Sequence, residues 1–350
     1  MKNIIFISPV DFNGLKQRHH GLAIEFAKKG FNIFFVNPIK SNGLSCRVTN
    51  SEAELKIVDI KVPFKAVSYP LVQCFAVKIA YRLLKKKLRI DLKDSILWLA
   101  EPSLADLVKY DWKKIIYDCC DLHGLFPKQK LKVWRYYESL IAEKANLITF
   151  SHEYIKERFC SYRGQSLILP NATFFESYSR NKFPIIDKVK LLSSGAHYEW
   201  VDIDWLQMLS NLDNVELHIA GKGRGKAFEE LIKSKNVVFH GELNSDNLLK
   251  LMKECHVGLV PFKDIELIKG VDPIKVYDYA ALGLDIWAPD LKQLYSNKYI
   301  NCFIKNCESA KTEIESLLSP LQLNKKIVVV DDLYNIHRWS ERIEVVLPYL

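Results

Sequence analysis

The chain holds 350 residues, 49% hydrophobic and 26% charged, with only 14 Gly and 13 Pro. That balance excludes a disordered or fibrous chain, and at about 100–200 residues per domain it suggests two domains. The formal net charge of +9 lies wholly in the first half, where residues 1–170 carry 28 Lys and Arg against 16 Asp and Glu and the remainder is net negative.

Residues 4–8 read as a buried strand, and the apolar run stops at Pro9, too early for a signal segment. No later stretch approaches the roughly 18 apolar residues of a membrane span, so a cytoplasmic protein is expected. Residues 17–29 place Leu22, Ala23, Phe26 and Ala27 at helical spacing before Gly30, and residues 32–37 form a second strand. Such a βαβ unit forces a parallel sheet with a right-handed crossover. Arg18, His19 and His20 open its helix at a sheet edge, where a histidine can act as a base or donate a hydrogen bond. The plainer alternative is a capped, solvent-facing helix start.

Residues 61–90 contain eight basic side chains and no acid, interleaved with Phe64, Tyr69, Phe75 and Tyr81, and residues 75–84 are helix-compatible. That mixture predicts an anionic partner, here a membrane surface, through Lys78, Arg82, Lys85, Lys86, Lys87 and Arg89. No nucleic-acid-binding module accompanies it, so nucleic acid is not expected.

Strand-like runs at 96–100, 114–118 and 146–151 continue the sheet. Asp118 and Asp121 lie at the carboxyl edge of the 114–118 strand, where open α/β sheets place their sites, although Asp121 could equally cap the next helix. The eight cysteines include the adjacent pair Cys119–Cys120, whose side chains point to opposite strand faces, and show no metal-binding spacing; they read as reduced thiols.

Polar and aromatic residues 171–187 read as a connector between domains at 1–170 and 188–330. The second series alternates helices with strands at 190–193, 215–220, 237–240, 257–261, 286–288 and 326–330. Residues 331–350 follow, with Trp339, Ile343, Val346 and Leu347 at helical spacing, and are expected to pack on the first domain. Within this series Pro273 suits a helix start and Gly283 its stop. Lys275 would stand at that helix N-terminus, a natural anion site, with Asp278 three residues on. Lysine for phosphate and carboxylate for ribose would suit a nucleoside diphosphate; the alternative is a solvated Lys275–Asp278 pair.

The run VDPIKVYDYAALG at 271–283 resembles the P-x-K-x-x-E-Y-x-A-x-G signature of GT-B glycosyltransferases. The stretches at 191–206, 215–225 and 236–262 resemble successive βα units of that family's donor domain. The first half is similar to bacterial members that assemble cell-surface polysaccharides, including the glucuronosyltransferase of xanthan assembly. The resemblance implies an α/β GT-B fold: two Rossmann-like domains facing across a cleft, with the C-terminal helix crossing back to the first.

It further implies that Lys275 neutralises the donor diphosphate and Asp278 binds the ribose, with Tyr277 beside them. Gly195 and Ala196 would approach the diphosphate by backbone, and His197, Lys222 and Arg224 would line the same loops. Asp121 maps to the second acid of D-x-x-D-[DE] and becomes the expected general base, with Asp118 orienting the loop, His19 and His20 assisting, and Arg18 meeting the acceptor. The chain departs from the family in Asp278 for glutamate, Leu122 for an acid and Asp285 for proline. Gly270 stands where retaining members carry a glutamate, which favours inversion. The implied reaction moves sugar from a nucleoside-diphosphate sugar, a UDP-sugar in first place, to a polyprenyl-diphosphate-linked or polysaccharide acceptor at the cytoplasmic membrane face. No metal or other cofactor is expected, since the D-x-D triplet Asp202-Ile203-Asp204 runs straight into a helix start. The rivals are a sugar-nucleotide epimerase of the same architecture and a non-catalytic nucleotide-sugar-binding relative.

Overall fold

In the computed structural model, which describes residues 2–51, 53, 55–177, 187–305, 312, 314–318 and 337–350, strand β1 (Asn3–Ile7) buries Ile4 through Ile7 completely. Helix α1 (Arg18–Lys28) follows, capped at Gln17, and strand β2 (Asn32–Val36) returns parallel to β1. Phe6 stacks on Phe35 and Trp98 at 5.5 and 5.7 Å, tying three neighbouring strands through one aromatic layer.

Two units are formed, Met1–Asn171 with Gly270–Asp272 and Trp339–Leu350, and Ala172–Lys269 with Pro273–Arg338. The first unit continues with β3 (Ser45–Asn50), β4 (Lys56–Lys61), α2 (Pro70–Leu88), β5 (Ile96–Leu99), β6 (Lys114–Cys119), α3 (Leu131–Ala142), β7 (Leu147–Phe150), α4 (Glu153–Glu157) and β8 (Gln165–Ile168). Its eight strands run in the order β3-β4-β2-β1-β5-β6-β7-β8. All pair in parallel except β3, which lies antiparallel on β4 at the edge. Strands β3, β4 and β8 are not among those expected from the sequence: β3 (SCRVTN) and β8 (QSLI) are edge strands with no second neighbour and no continuous apolar run, and in the internal β4 (KIVDIK) Lys56, Asp59 and Lys61 break up the apolar residues. Helix α2 runs well beyond the expected 75–84, starting on Pro70 and ending at Arg89 in the left-handed conformation (φ 52°).

The second unit contains β9 (Val189–Ser194), α5 (Ile203–Ser210), β10 (Val215–Ala220), α6 (Lys226–Leu231), β11 (Val237–Gly241), α7 (Ser245–Glu254), β12 (Val257–Leu259), α8 (Ile274–Ala281), β13 (Asp285–Pro289) and β14 (Cys302–Ile304). Its strands are all parallel, in the order β11-β10-β9-β12-β13-β14. Trp205 and Trp287 fill the centre of its core with Leu191, Leu217, Ile219 and Leu259. The doubly wound α/β architecture expected from the βα rhythm is thus present in both units. The expected strand at 326–330 lies outside the described residues, as do positions 178–186 of the expected connector and 331–336 of the final segment.

Helix α9 (Trp339–Val346) belongs to the first unit and packs on α1. Gly21 makes this possible: a Cβ there would stand 2.4 Å from the Trp339 ring. Arg342 donates to the carbonyl of Asn171 at 2.9 Å, and Asn171 bonds to Asp272, so the three separate stretches of this unit are hydrogen-bonded at one residue.

Candidate active site

In the second unit the ends of β9 and β10 meet backbone to backbone. Gly195 and Gly221 adopt φ of 108° and 123°, a region costly to any residue with a Cβ. A Cβ on Gly221 would sit 2.0 Å from the Gly195 carbonyl oxygen. Beside this crossing stands Lys275, in the first turn of α8, where no side chain caps the helix. Its ammonium donates to the Ser194 carbonyl, and an ideal Cβ on Gly195 would lie 3.5 Å from Nζ. Burial pulls the Lys275 pKa down to about 8, and no carboxylate pairs with it among the described residues.

One turn along the same helix face, Tyr279 fastens α8 to β9. Its hydroxyl shares a 2.8 Å hydrogen bond with Ser194 Oγ and accepts from the Ser194 amide at 3.1 Å. Sequence reasoning missed Tyr279 and Ser194, although the i,i+4 spacing from Lys275 was there to be used.

Asp278 does not pair with Lys275. It is 9% exposed and accepts from Thr173 Oγ1 at 2.8 Å and from the Phe174 amide at 3.2 Å, both on Oδ1. The second oxygen, Oδ2, has no hydrogen-bond partner among the described residues. Burial pushes this carboxyl up to about 7, against the lowering effect of its two donors.

His197 is buried, bonded through Nε2 to Ser193 Oγ at 2.8 Å and stacked on Phe228, and burial followed by the Lys275 charge lowers its pKa to about 4. It is a neutral group packed beside these strand ends. Ala196 is exposed. The structure uses the other expected donor residues differently. Lys222 pairs with Glu242 at 2.8 Å, and Arg224 grips Glu199 at 2.6 and 2.8 Å while covering Tyr198. Tyr277 is buried, edge-on to Tyr299 at 5.5 Å.

In the first unit the start of α1 is not solvent-facing, because Arg18, His19 and His20 are all buried. Arg18 places Nε 3.1 and 3.0 Å from the two Asp118 oxygens and Nη2 2.8 Å from Oδ1. Nη1 donates to the Leu169 carbonyl at 2.7 Å and to Asn171 Oδ1 at 3.1 Å. Asp118 also accepts from Thr149 at 2.7 Å. Burial opposes charge on both groups, but their mutual attraction wins, holding the guanidinium above and the carboxyl below its ordinary range. The expected contact of Arg18 with acceptor is therefore corrected: its donors are directed inward.

His20 is likewise corrected as a base. Nδ1 accepts from the Gln17 amide at 3.0 Å, so Nε2 carries the proton toward the Asp11 carbonyl at 3.2 Å, and both nitrogens serve the helix start. His19 approaches Cys120 Sγ at 3.9 Å, and burial drives its pKa down to about 3, leaving it neutral.

Asp121 lies in the loop after β6, half-buried and well before α3, so it caps no helix. Cys120 Sγ donates to it at 3.6 Å, and burial lifts its pKa to about 6. His123, which the sequence analysis passed over, stacks on Trp134 at 5.4 Å; the Asp-x-His spacing was its signal. Gly270 is packed tightly too: a Cβ would stand 2.9 Å from Leu122 and from Ile155. A side chain at the position where retaining GT-B enzymes are expected to carry a glutamate would thus have to displace Leu122, itself a departure, and Ile155.

The chain superposes over its full length on sucrose-phosphate synthase from Thermosynechococcus elongatus, covering 98% of it with a TM-score of 0.74 at 12% identity. It has the GT-B fold. Trehalose-6-phosphate from E. coli bound with UDP-2-fluoro glucose matches 99% of the chain and 98% of its own with a TM-score of 0.65 at 10% identity. The UDP-forming α,α-trehalose-phosphate synthase of Burkholderia vietnamiensis scores 0.65 at 12% identity over 100% and 99%. In sequence, 235 residues are 22% identical to a Bacillus subtilis (strain 168) protein described as "Putative teichuronic acid biosynthesis glycosyltransferase TuaH". That alignment covers 56% of this chain, which spans about half the length of that relative. No protein-family model matches.

Proposed function

We propose that this protein is a glycosyltransferase that moves a sugar from a UDP-sugar to a lipid-linked or polysaccharide acceptor at the cytoplasmic face of the membrane. The carrying observation is Lys275, a cation at a helix N-terminus without a carboxylate partner among the described residues, beside the Gly195–Gly221 strand ends where backbone can approach a diphosphate closely. Asp278 Oδ2 would accept from a ribose hydroxyl, while Oδ1 remains on Thr173. The likeness to a protein described for teichuronic acid biosynthesis supports a cell-surface glycan product.

Asp121 would act as general base in a direct displacement. Its pKa near 6 keeps it ionised at neutral pH yet basic enough to accept a proton as the hydroxyl attacks. The acceptor oxygen bonds to the anomeric carbon as the bond from that carbon to the diphosphate breaks. The proton ends on Asp121, and Lys275 with the end of α8 balances the charge on the departing UDP, with no metal in this scheme. The crowding at Gly270 supports the inverting course.

The test is calorimetric titration of UDP, GDP and ADP into wild type and Lys275→Ala, followed by UDP-release assays with lipid-linked acceptors. Binding of UDP that is lost in Lys275→Ala, together with acceptor-dependent release, is expected. UDP binding without turnover on any acceptor would indicate a non-catalytic relative, and conversion of a UDP-sugar without acceptor would indicate an epimerase; either would overturn the reading.

A further inference from the structure

Helix α2 has two faces of different character. Gln73, Ala76, Val77, Ala80, Leu84 and Leu88 are buried in the first unit. On the other side, residues 71, 75, 78, 82, 85 and 89 recur at intervals of three or four, so Leu71, Phe75, Lys78, Arg82, Lys85 and Arg89 share one outward stripe. The start of the stripe is apolar: Leu71 is 82% exposed, Phe75 58%, and Val72 beside them 46%. From Lys78 onward it is cationic. None of Lys78, Arg82, Lys85, Lys86, Lys87 and Arg89 has an acidic partner among the described residues, while residues 61–90 contain no acid at all.

Both halves are unfavourable for a surface that meets only water. Neighbouring cations repel one another, and an exposed cluster of large apolar side chains marks an interaction site. The combination selects the partner. A nucleic acid would answer the cations and leave Leu71, Val72 and Phe75 in water. A second copy related by two-fold symmetry would set the same basic patch against itself. An anionic bilayer satisfies both, with acyl chains for the apolar end and phosphate headgroups along a helix of about 28 Å.

We propose that the outward face of α2 docks this protein on anionic membrane, with Leu71, Val72 and Phe75 inserted and the cations lying on the headgroups. The inference deepens the lipid-linked-acceptor reading, but it is tested without donor, acceptor or turnover, so the two can fail separately.

The experiment is co-sedimentation of the full chain with phosphatidylcholine vesicles, with and without phosphatidylglycerol, across a salt series. Binding is expected only with phosphatidylglycerol and should weaken as salt rises. Lys78→Glu with Arg82→Glu and Lys86→Glu should lower vesicle affinity at least a hundredfold, each lost cation alone being worth about fivefold. Leu71→Ser with Phe75→Ser should abolish binding while leaving the fold, followed by circular dichroism, and UDP binding unchanged. Equal binding to neutral vesicles, or binding indifferent to either set of substitutions, would overturn the proposal. So would a dimer in analytical ultracentrifugation that the Leu71 and Phe75 changes dissolve, or tight RNA binding that they leave intact.

Discussion

Arg18 and Lys275 occupy comparable places in two units of the same architecture. Each stands in the first turn of a helix, turned toward the ends of parallel strands, with Arg18 buried and Lys275 half-buried. They differ in what they meet. Arg18 finds a buried carboxylate, a carbonyl and an amide oxygen within the chain, whereas Lys275 finds a backbone carbonyl. Side-chain chemistry matches the division: a planar guanidinium satisfies a carboxylate at two points, while an ammonium is a point charge whose pKa moves readily. The counter-ion of Arg18 is built into the fold, whereas Lys275, with none among the described residues, is the cation proposed to meet the donor diphosphate.

The sharpest way to break this comparison is to remove each cation in turn. Arg18→Ala leaves Asp118 charged and buried and should cost about 3–5 kcal/mol in chemical denaturation. Arg18→Met combined with Asp118→Leu should recover most of that loss. A destabilisation below about 1 kcal/mol in the single variant would mean that the pair is not structural.

Lys275→Ala should behave oppositely, with stability unchanged or slightly higher and UDP affinity down roughly tenfold to a hundredfold, as for a lost charge-assisted hydrogen bond. Equal unfolding of both variants would erase the distinction. Asp121→Asn extends the test to chemistry: turnover should fall by at least about a hundredfold with UDP affinity unmoved. A loss of UDP affinity instead would place Asp121 in donor binding.

The smallest effects lie in pH. Because the fold lowers the Lys275 pKa to about 8 from 10.5, the folded state binds this proton less tightly, and its contribution makes stability rise with pH between those values. In the proposed donor site UDP requires the cation, so UDP affinity should fall as pH rises through about 8, and calorimetry in buffers of different ionisation enthalpy should register proton uptake on binding. Asp278 runs the other way at lower pH. Its folded pKa of about 7 exceeds the ordinary 3.8, so its stabilising share is complete below pH 4 and is lost as pH rises toward 7. Asp278→Asn should flatten that slope.

Much of this arrangement is legible in the sequence, and what is not shares a cause. The strands buried on both faces announce themselves as apolar runs, and Pro273, Lys275 and Gly283 mark a helix with a cation at its start because those signals are local. Arg18 and Asp118 lie a hundred positions apart, and nothing in residues 17–20 says that a carboxylate awaits them. The inward turn of Arg18, and with it the burial of His19 and His20, becomes visible only once β5 joins β6 to β1 and β7 lies on the other side of β6. The link from Thr173 to Asp278 is equally non-local. For Lys222 and Arg224 a loop rich in glycine and cations reads as an anion site, and the acids that engage them, Glu242 and Glu199, are supplied from other loops.

The packing of α9 on α1 also carries a consequence for the chain's synthesis. The surface around Gly21 is made to receive Trp339, yet the ribosome delivers α9 after all of the second unit. At about 5–20 residues per second, α1 would wait roughly 15–60 seconds with its Trp339 seat uncovered. The unit begun first is finished last, and through that interval the growing chain would present a bare helix face that chaperones could occupy.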